Sequence, residues 1–165
     1  MMEKLSVPLV CVVSVLSLCG VVSAATLGPL NLLVESTGDA WIVNPSTDAV
    51  DFEGYQISSV GENLEPSGWF SLTDRGEPDW EVLSSSEDLL AEAVGVTSSE
   101  FYTLDGGESR SLGAPVSAET PLDDLSFTYT ALGGESFQGE VIPEPTTLAL
   151  LSLAALAVVR RRRGV

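Results

Sequence analysis

Between residues 26 and 142 no uninterrupted apolar run exceeds the four residues Ala40 to Val43, and the runs are separated by Gly, Pro, Asn, Asp and Ser. Runs this short and this often interrupted do not build long helices; they predict strands joined by tight turns. Leu30 to Glu35 and Ala40 to Asn44 flank the turn formers Ser36-Thr37-Gly38-Asp39. Pro45 closes the second of these strands because it has no N–H for a ladder. Phe52, Tyr55, Ile57 and Val60 mark a third strand with irregular alternation, and Trp69 to Leu72 a fourth after Glu65-Pro66-Ser67-Gly68. Phe101 to Leu104 and Ser109 to Leu112 around Asp105-Gly106-Gly107-Glu108 predict a hairpin. The clearest alternation puts Leu125, Phe127, Tyr129 and Ala131 on one face, with Ser126, Thr128 and Thr130 on the other. Gly133-Gly134-Glu135 then turns the chain into Phe137 to Ile142.

One segment breaks the pattern. Glu87 to Val94 has Leu89, Leu90 and Ala93 at helical spacing behind Ser84, Ser85 and Ser86, any of which is a suitable cap, so a short helix is expected there. The remainder predicts an all-β fold, a single antiparallel β-sandwich over residues 25–142, with a jelly roll as a compatible variant. Gly-Gly-Glu-Ser occurs at Gly106 to Ser109 and again at Gly133 to Ser136, which reads as reused turn chemistry.

Charge narrows the partners. Of the 24 acidic residues only Glu3 and Glu144 fall outside residues 26–142, where Arg75 and Arg110 are the sole basic residues, so that stretch carries about −20. Such a surface repels phosphates and anionic lipid, which argues against nucleic acid and leaves cations, basic proteins or neutral glycans. Both cysteines, Cys11 and Cys19, lie near the N-terminus, and the chain has no histidine. The body therefore holds no disulfide, no thiolate and no Cys/His zinc site.

The two ends carry addresses. Lys4, the apolar Val7 to Val22 and the small residues Ser23, Ala24 and Ala25 predict a signal peptide over residues 1–24, cleaved by signal peptidase after Ala24 or Ala25. Leu16-Ser17-Leu18-Cys19 approaches a lipobox, but bulky Leu18 stands where a small residue is needed. At the other end, residues 143–165 join Pro143-Glu144-Pro145 to the apolar Thr146 to Val159 and close on Arg160, Arg161, Arg162 and Arg163. Fourteen helical residues reach roughly 21 Å, short of a hydrocarbon core of about 30 Å, so a C-terminal anchor helix spans by tilting or thinning the bilayer. The arginines place its end in the cytoplasm and the body outside. The two prolines keep the preceding backbone extended, in a form a protease can grip.

This order of parts resembles the PEP-CTERM sorting signal of Gram-negative bacterial surface proteins, a tail also labelled the ice-binding protein C-terminal domain. The resemblance implies an inner-membrane-anchored precursor whose Pro143-Glu144-Pro145 is read by an exosortase-type membrane protease, in bacteria that often make exopolysaccharide. The final location is then the cell surface or the extracellular matrix. The ice-binding label implies no ice binding, because the regular Thr-rich array of a flat ice-binding face is absent. Between Phe52 and Val141, the segments Gly54 to Ser59, Gly68-Trp69 and Asp124 to Tyr129 resemble the variable ectodomains that PEP-CTERM proteins of planctomycete-like bacteria carry. That adds an extracellular β-domain and no activity.

Chemistry is sparse. Without His or Cys, acid/base work falls to carboxylates, and Glu53, Asp74, Glu77, Asp79 and Glu81 are the candidates for a glycosidase pair, whose spatial separation spacing does not establish. Gly134-Glu135-Ser136-Phe137-Gln138 lacks the closing Gly of a nucleophile elbow. Asp74, Glu77 and Asp79 around Gly76 form a weak candidate loop for calcium, which takes oxygen ligands and needs no His, and Asp123-Asp124 offers a further pair. Neither matches a regular calcium loop. Trp80, set between Asp79 and Glu81, and Trp69 are candidates for stacking on sugar, with Tyr55, Gln56 and Asn63 near them, whereas Trp41 between apolar neighbours is expected in the core. The reading is a non-enzymatic exported surface protein; the alternative is a carbohydrate-binding module of the exopolysaccharide matrix.

Overall fold

The computed structural model describes residues 26–95 and 98–144. Ala24, Ala25, both cysteines, Pro145, the apolar tail and Arg160 to Arg163 lie outside the described residues, and with them the expected signal peptide and anchor helix.

The described residues are all-β. They form β1 (Asn31–Val34), β2 (Ala40–Val43), β3 (Val50–Ser59), β4 (Trp80–Ser85), β5 (Leu89–Val94), β6 (Tyr102–Leu104), β7 (Ser109–Ser111), β8 (Leu125–Ala131), β9 (Ser136–Gly139) and β10 (Val141–Pro143). Two single 3-10 turns, Pro66–Gly68 and Leu122–Asp124, complete the inventory. The strands fall into two sheets, one ordered β10-β1-β2-β7, the other β4-β5-β3-β8-β9 with β6 also on β3. Leu32, Val34, Ala40 and Ile42 of the smaller sheet share one hydrophobic cluster with Phe52, Tyr55, Ile57, Leu90, Phe127 and Tyr129 of the larger. Phe52 sits at the centre of the aromatic packing, edge-on to Trp80 at 5.8 Å and to Tyr129 at 6.5 Å.

The irregular alternation of β3 has a local cause. The β3–β8 register shifts between Phe52 and Gly54, a bulge that lets Phe52 and Tyr55 both point into the core at a spacing of three. Two crossings between sheets were not legible from pattern. The turn Asp105 to Glu108 forms as expected, with the Glu108 N–H on the Asp105 carbonyl at 3.0 Å, yet its flanks are not a hairpin. Instead β6 pairs with β3 and β7 with β2, so this turn carries the chain from the larger sheet to the smaller. The run Phe137 to Ile142 likewise divides: β9 pairs with β8, and two residues later β10 pairs with β1. Gly139 makes that second crossing feasible, because a Cβ there would collide with the Leu30 carbonyl and the Phe127 ring.

Three further expectations are corrected. Residues 89–94 are strand rather than helix. The serines close a turn instead of capping: the Ser86 N–H donates to the Leu89 carbonyl at 3.0 Å, and the Ser84 and Ser86 hydroxyls donate to that same oxygen, each at 3.1 Å. An isolated helix of so few residues is marginal, while β3 and β4 supply ladders on both sides. Trp69 to Leu72 is no strand but a loop held to the opposite sheet edge by a single bridge, Trp69 to Gly113. Finally, the pairing is not purely antiparallel, since β1 and β10 run parallel.

Candidate functional site

The C-terminal address begins inside the fold. In β10, Val141, Ile142 and Pro143 lie opposite Leu32, Leu33 and Val34, the Leu32 N–H donates to the Glu140 carbonyl at 2.9 Å, and the Glu144 N–H donates to the Val34 carbonyl at 3.2 Å. Pro143 is tolerated because β10 is the sheet's edge, where one missing donor breaks no second ladder. Val141 packs against the core, so the strand is held by burial as well as by backbone bonds. Where the chain leaves this edge, Pro143 and Glu144 border a groove of about 180 Å³ floored by Val34, Val116 and Leu122.

Residues 141–163 match the family model of the PEP-CTERM protein-sorting motif. The chain carries a PEP-CTERM sorting signal. The motif implies an exported, membrane-transiting protein that is sorted and processed by exosortase. Of Pro143, Glu144 and Pro145, the first two are placed by the structure, and Pro145 lies outside the described residues. No curated protein and no solved structure matches the chain.

The expected sugar-stacking pair is overturned by burial. Trp80 is 5% exposed and Trp69 8%, so neither presents a ring face to a ligand. The flanking acids are no guide to Trp80: Asp79 and Glu81 are exposed while the indole packs inward against Phe52. Trp69 donates its indole N–H to the Tyr55 hydroxyl at 3.2 Å. Burial pushes the Tyr55 phenol well above its ordinary pKa, and the Glu92 carboxylate beside it adds to the shift.

Glu92, 1% exposed, is the buried acid that spacing missed. Its carboxylate accepts from the Leu72 N–H at 2.7 Å and from the Thr73 N–H at 3.1 Å and hydroxyl at 3.2 Å, so it ties the loop after Trp69 to β5. The segment Leu89 to Val94 does not alternate, so no period in the sequence marked Glu92 as buried. A second acid with a structural task is Asp124. It accepts from the Ser59 hydroxyl, from the Asn63 amide at 3.0 Å and from the Gly61 N–H at 2.6 Å, closing the turn after β3. Those bonds, Ser59 first and Asn63 next, hold its carboxyl below the usual value.

The candidate calcium loop does not converge. Asp74 accepts from the Ser71 hydroxyl at 2.8 Å, Glu77 faces Arg110 at 3.6 Å, and Asp79 accepts from the Ser98 hydroxyl at 2.9 Å. Each acid is turned to a different neighbour, and no group of three His, Cys, Asp or Glu suited to a metal occurs among the described residues. The same three acids, candidates for a glycosidase pair, are thus each bonded to a different neighbour. Glu53 borders a shallow trough of about 310 Å³ on the larger sheet with Glu100 and Thr130. The segment Gly134 to Gln138 is the β8–β9 turn and start of β9, with Gly133 and Gly134 at positive φ.

Proposed function

We propose that this is a non-enzymatic, exported surface protein whose acidic body, residues 25–142, is delivered by the tail. Its two sheets pack face to face as one β-sandwich. Signal peptidase removes residues 1–24, cleaving after Ala24 or Ala25. Residues 143–165 hold the precursor in the inner membrane as a short anchor helix with Arg160 to Arg163 in the cytoplasm, until an exosortase processes the tail and the body passes to the cell surface or matrix. The observation that supports this reading is the sorting-motif match at residues 141–163, which starts on β10, the last strand of the body. Mass spectrometry of the exported protein tests it. The mature chain should lack Arg160 to Arg163 in an exosortase-competent host and keep them in a host without that enzyme. An intact C-terminus in the competent host would leave a plain anchor in place of a sorting signal. Glycan binding through Trp80 and Trp69 is not retained, because both rings are in the core.

A further inference from the structure

The third tryptophan stands in a different setting. Trp41, expected in the core, is only half-buried. Ala40 and Ile42 take the inner face of β2, which sends Trp41 and Val43 to the outer one. Register places Leu33 beside Trp41 and Ile142, and Ser109 beside Val43, on the same outer face. Continuing that alternation brings Glu35 and Glu144 to the same side. Leu33, Glu35, Trp41, Val43, Ser109 and Glu144 together line an open depression of about 250 Å³.

We propose that this depression is a binding site for a pyranose ring of a neutral or amine-bearing polysaccharide, with Trp41 as the stacking platform. The negative π-face of an indole attracts the polarised C–H face of a sugar ring and, more strongly, an adjacent ammonium. Leu33 and Val43 extend the apolar floor. Glu35 and Glu144 are acceptors for hydroxyls or for the amine, and Ser109 both donates and accepts. The Thr37 hydroxyl donates to Asp39 at 2.8 Å and lies 3.3 Å from the Glu35 carboxylate.

Charge selects the class of glycan. Among the described residues no basic side chain lines the depression. Arg110, next to Ser109, belongs to the opposite face, where it pairs with Glu77 and lies 4.8 Å from the Tyr102 ring centroid. An anionic polymer would meet Glu35 and Glu144 with no cation among the described lining residues to offset them, whereas an amine is favoured. The volume falls below the roughly 300–1,000 Å³ of enclosed small-molecule pockets, so the site holds one ring while its open sides let a polymer chain continue. The chemistry does not depend on tail processing; export supplies only the place where such a polymer is met.

The test uses the full chain in detergent micelles and reads tryptophan emission with acrylamide. Because Trp69 and Trp80 are buried, quenching reports Trp41. The probes are glucosamine hexamer, cellohexaose, oligogalacturonate and heptalysine. Glucosamine hexamer should protect Trp41 and bind most tightly, cellohexaose more weakly, and oligogalacturonate not at all. Trp41→Ala should weaken binding by about tenfold or more, Trp41→Tyr by less, and Glu35→Gln with Glu144→Gln should erase the preference for the amine over the neutral oligomer. Should Trp41→Ala lower the thermal transition, Ser109→Arg decides: this exposed position fills and charges the depression without touching the core, and must abolish binding. Unchanged binding in either variant, protection by heptalysine alone, or no binding of either neutral or amine oligomer overturns the proposal.

Discussion

The Glu144 N–H donates to the Val34 carbonyl at 3.2 Å, so the middle residue of Pro143-Glu144-Pro145 is still bonded to the first strand of the body. A protease reads substrates as extended, unpaired backbone, and here the start of its motif is paired on one side. Among the described residues no strand pairs with the other side of β10. Reading from that edge adds a strand to the sheet; reading from the paired side requires β10 to detach.

Detachment can be measured. Val141→Asp should remove the apolar contact that seats β10, at a cost of about 1–2 kcal/mol. The Glu144 N–H should then exchange with deuterium several times faster than in the unaltered chain, read by mass spectrometry. Equal rates would mean that β10 does not shield the start of the motif.

Asp124 makes the fold sensitive to acid in a definite window. Its folded pKa lies below the unfolded value, so its contribution is present above the unfolded carboxylate pKa and is lost as pH falls through the lower, folded one. Thermal melts from pH 5 to pH 2 should show a decline that Asp124→Asn flattens. Other carboxylates contribute to that decline, so the readout is the difference between the two curves.

Tyr55 works in the opposite direction. Its folded pKa is raised, so the stability tied to its neutral form is complete below the unfolded phenol pKa and falls as pH rises from there towards the folded value. Ultraviolet titration should show its ionisation only together with unfolding, at alkaline pH above that of a free tyrosine. Early, reversible ionisation of all three tyrosines without loss of structure would contradict the burial.

Glu92 should matter through the donors it satisfies. Glu92→Ala leaves the Leu72 and Thr73 donors without their partner and should cost about 1–3 kcal/mol in urea unfolding, with Glu92→Gln costing less because one carbonyl oxygen remains. Limited proteolysis should localise the loosening to residues 71–77. A loss spread evenly over the body would instead indicate a general packing defect.

Trp80 is the packing control for the Trp41 site. Trp80→Ala should cost about 3–5 kcal/mol, the scale of a large aromatic removed from a core, as read by urea or thermal unfolding. A small loss would return Trp80 to the surface.

Much was legible along the chain because strands declare themselves by period. Leu125 to Ala131 alternates without exception, and its inner residues Leu125, Phe127 and Tyr129 are buried as read. The turn at Gly133-Gly134 and the sorting tail were equally local signals, one set by the conformational freedom of glycine and the other by the order of prolines, apolar run and arginines. What the residues did not disclose was which partner a strand would take. Glu87 to Val94 has helical spacing in isolation, and only β3 and β4 on either side made it a strand. The flanks of Asp105 to Glu108 have the pattern of a hairpin, and only the two sheets' positions sent them apart. The three tryptophans show the limit most directly: Trp80 among acids is buried, Trp41 among apolar neighbours lies on an outer face. Neighbours in sequence sit on alternating sides of a strand, so they say little about a residue's own environment. Which side becomes the inside is decided by the hydrophobic cluster that residues of both sheets share.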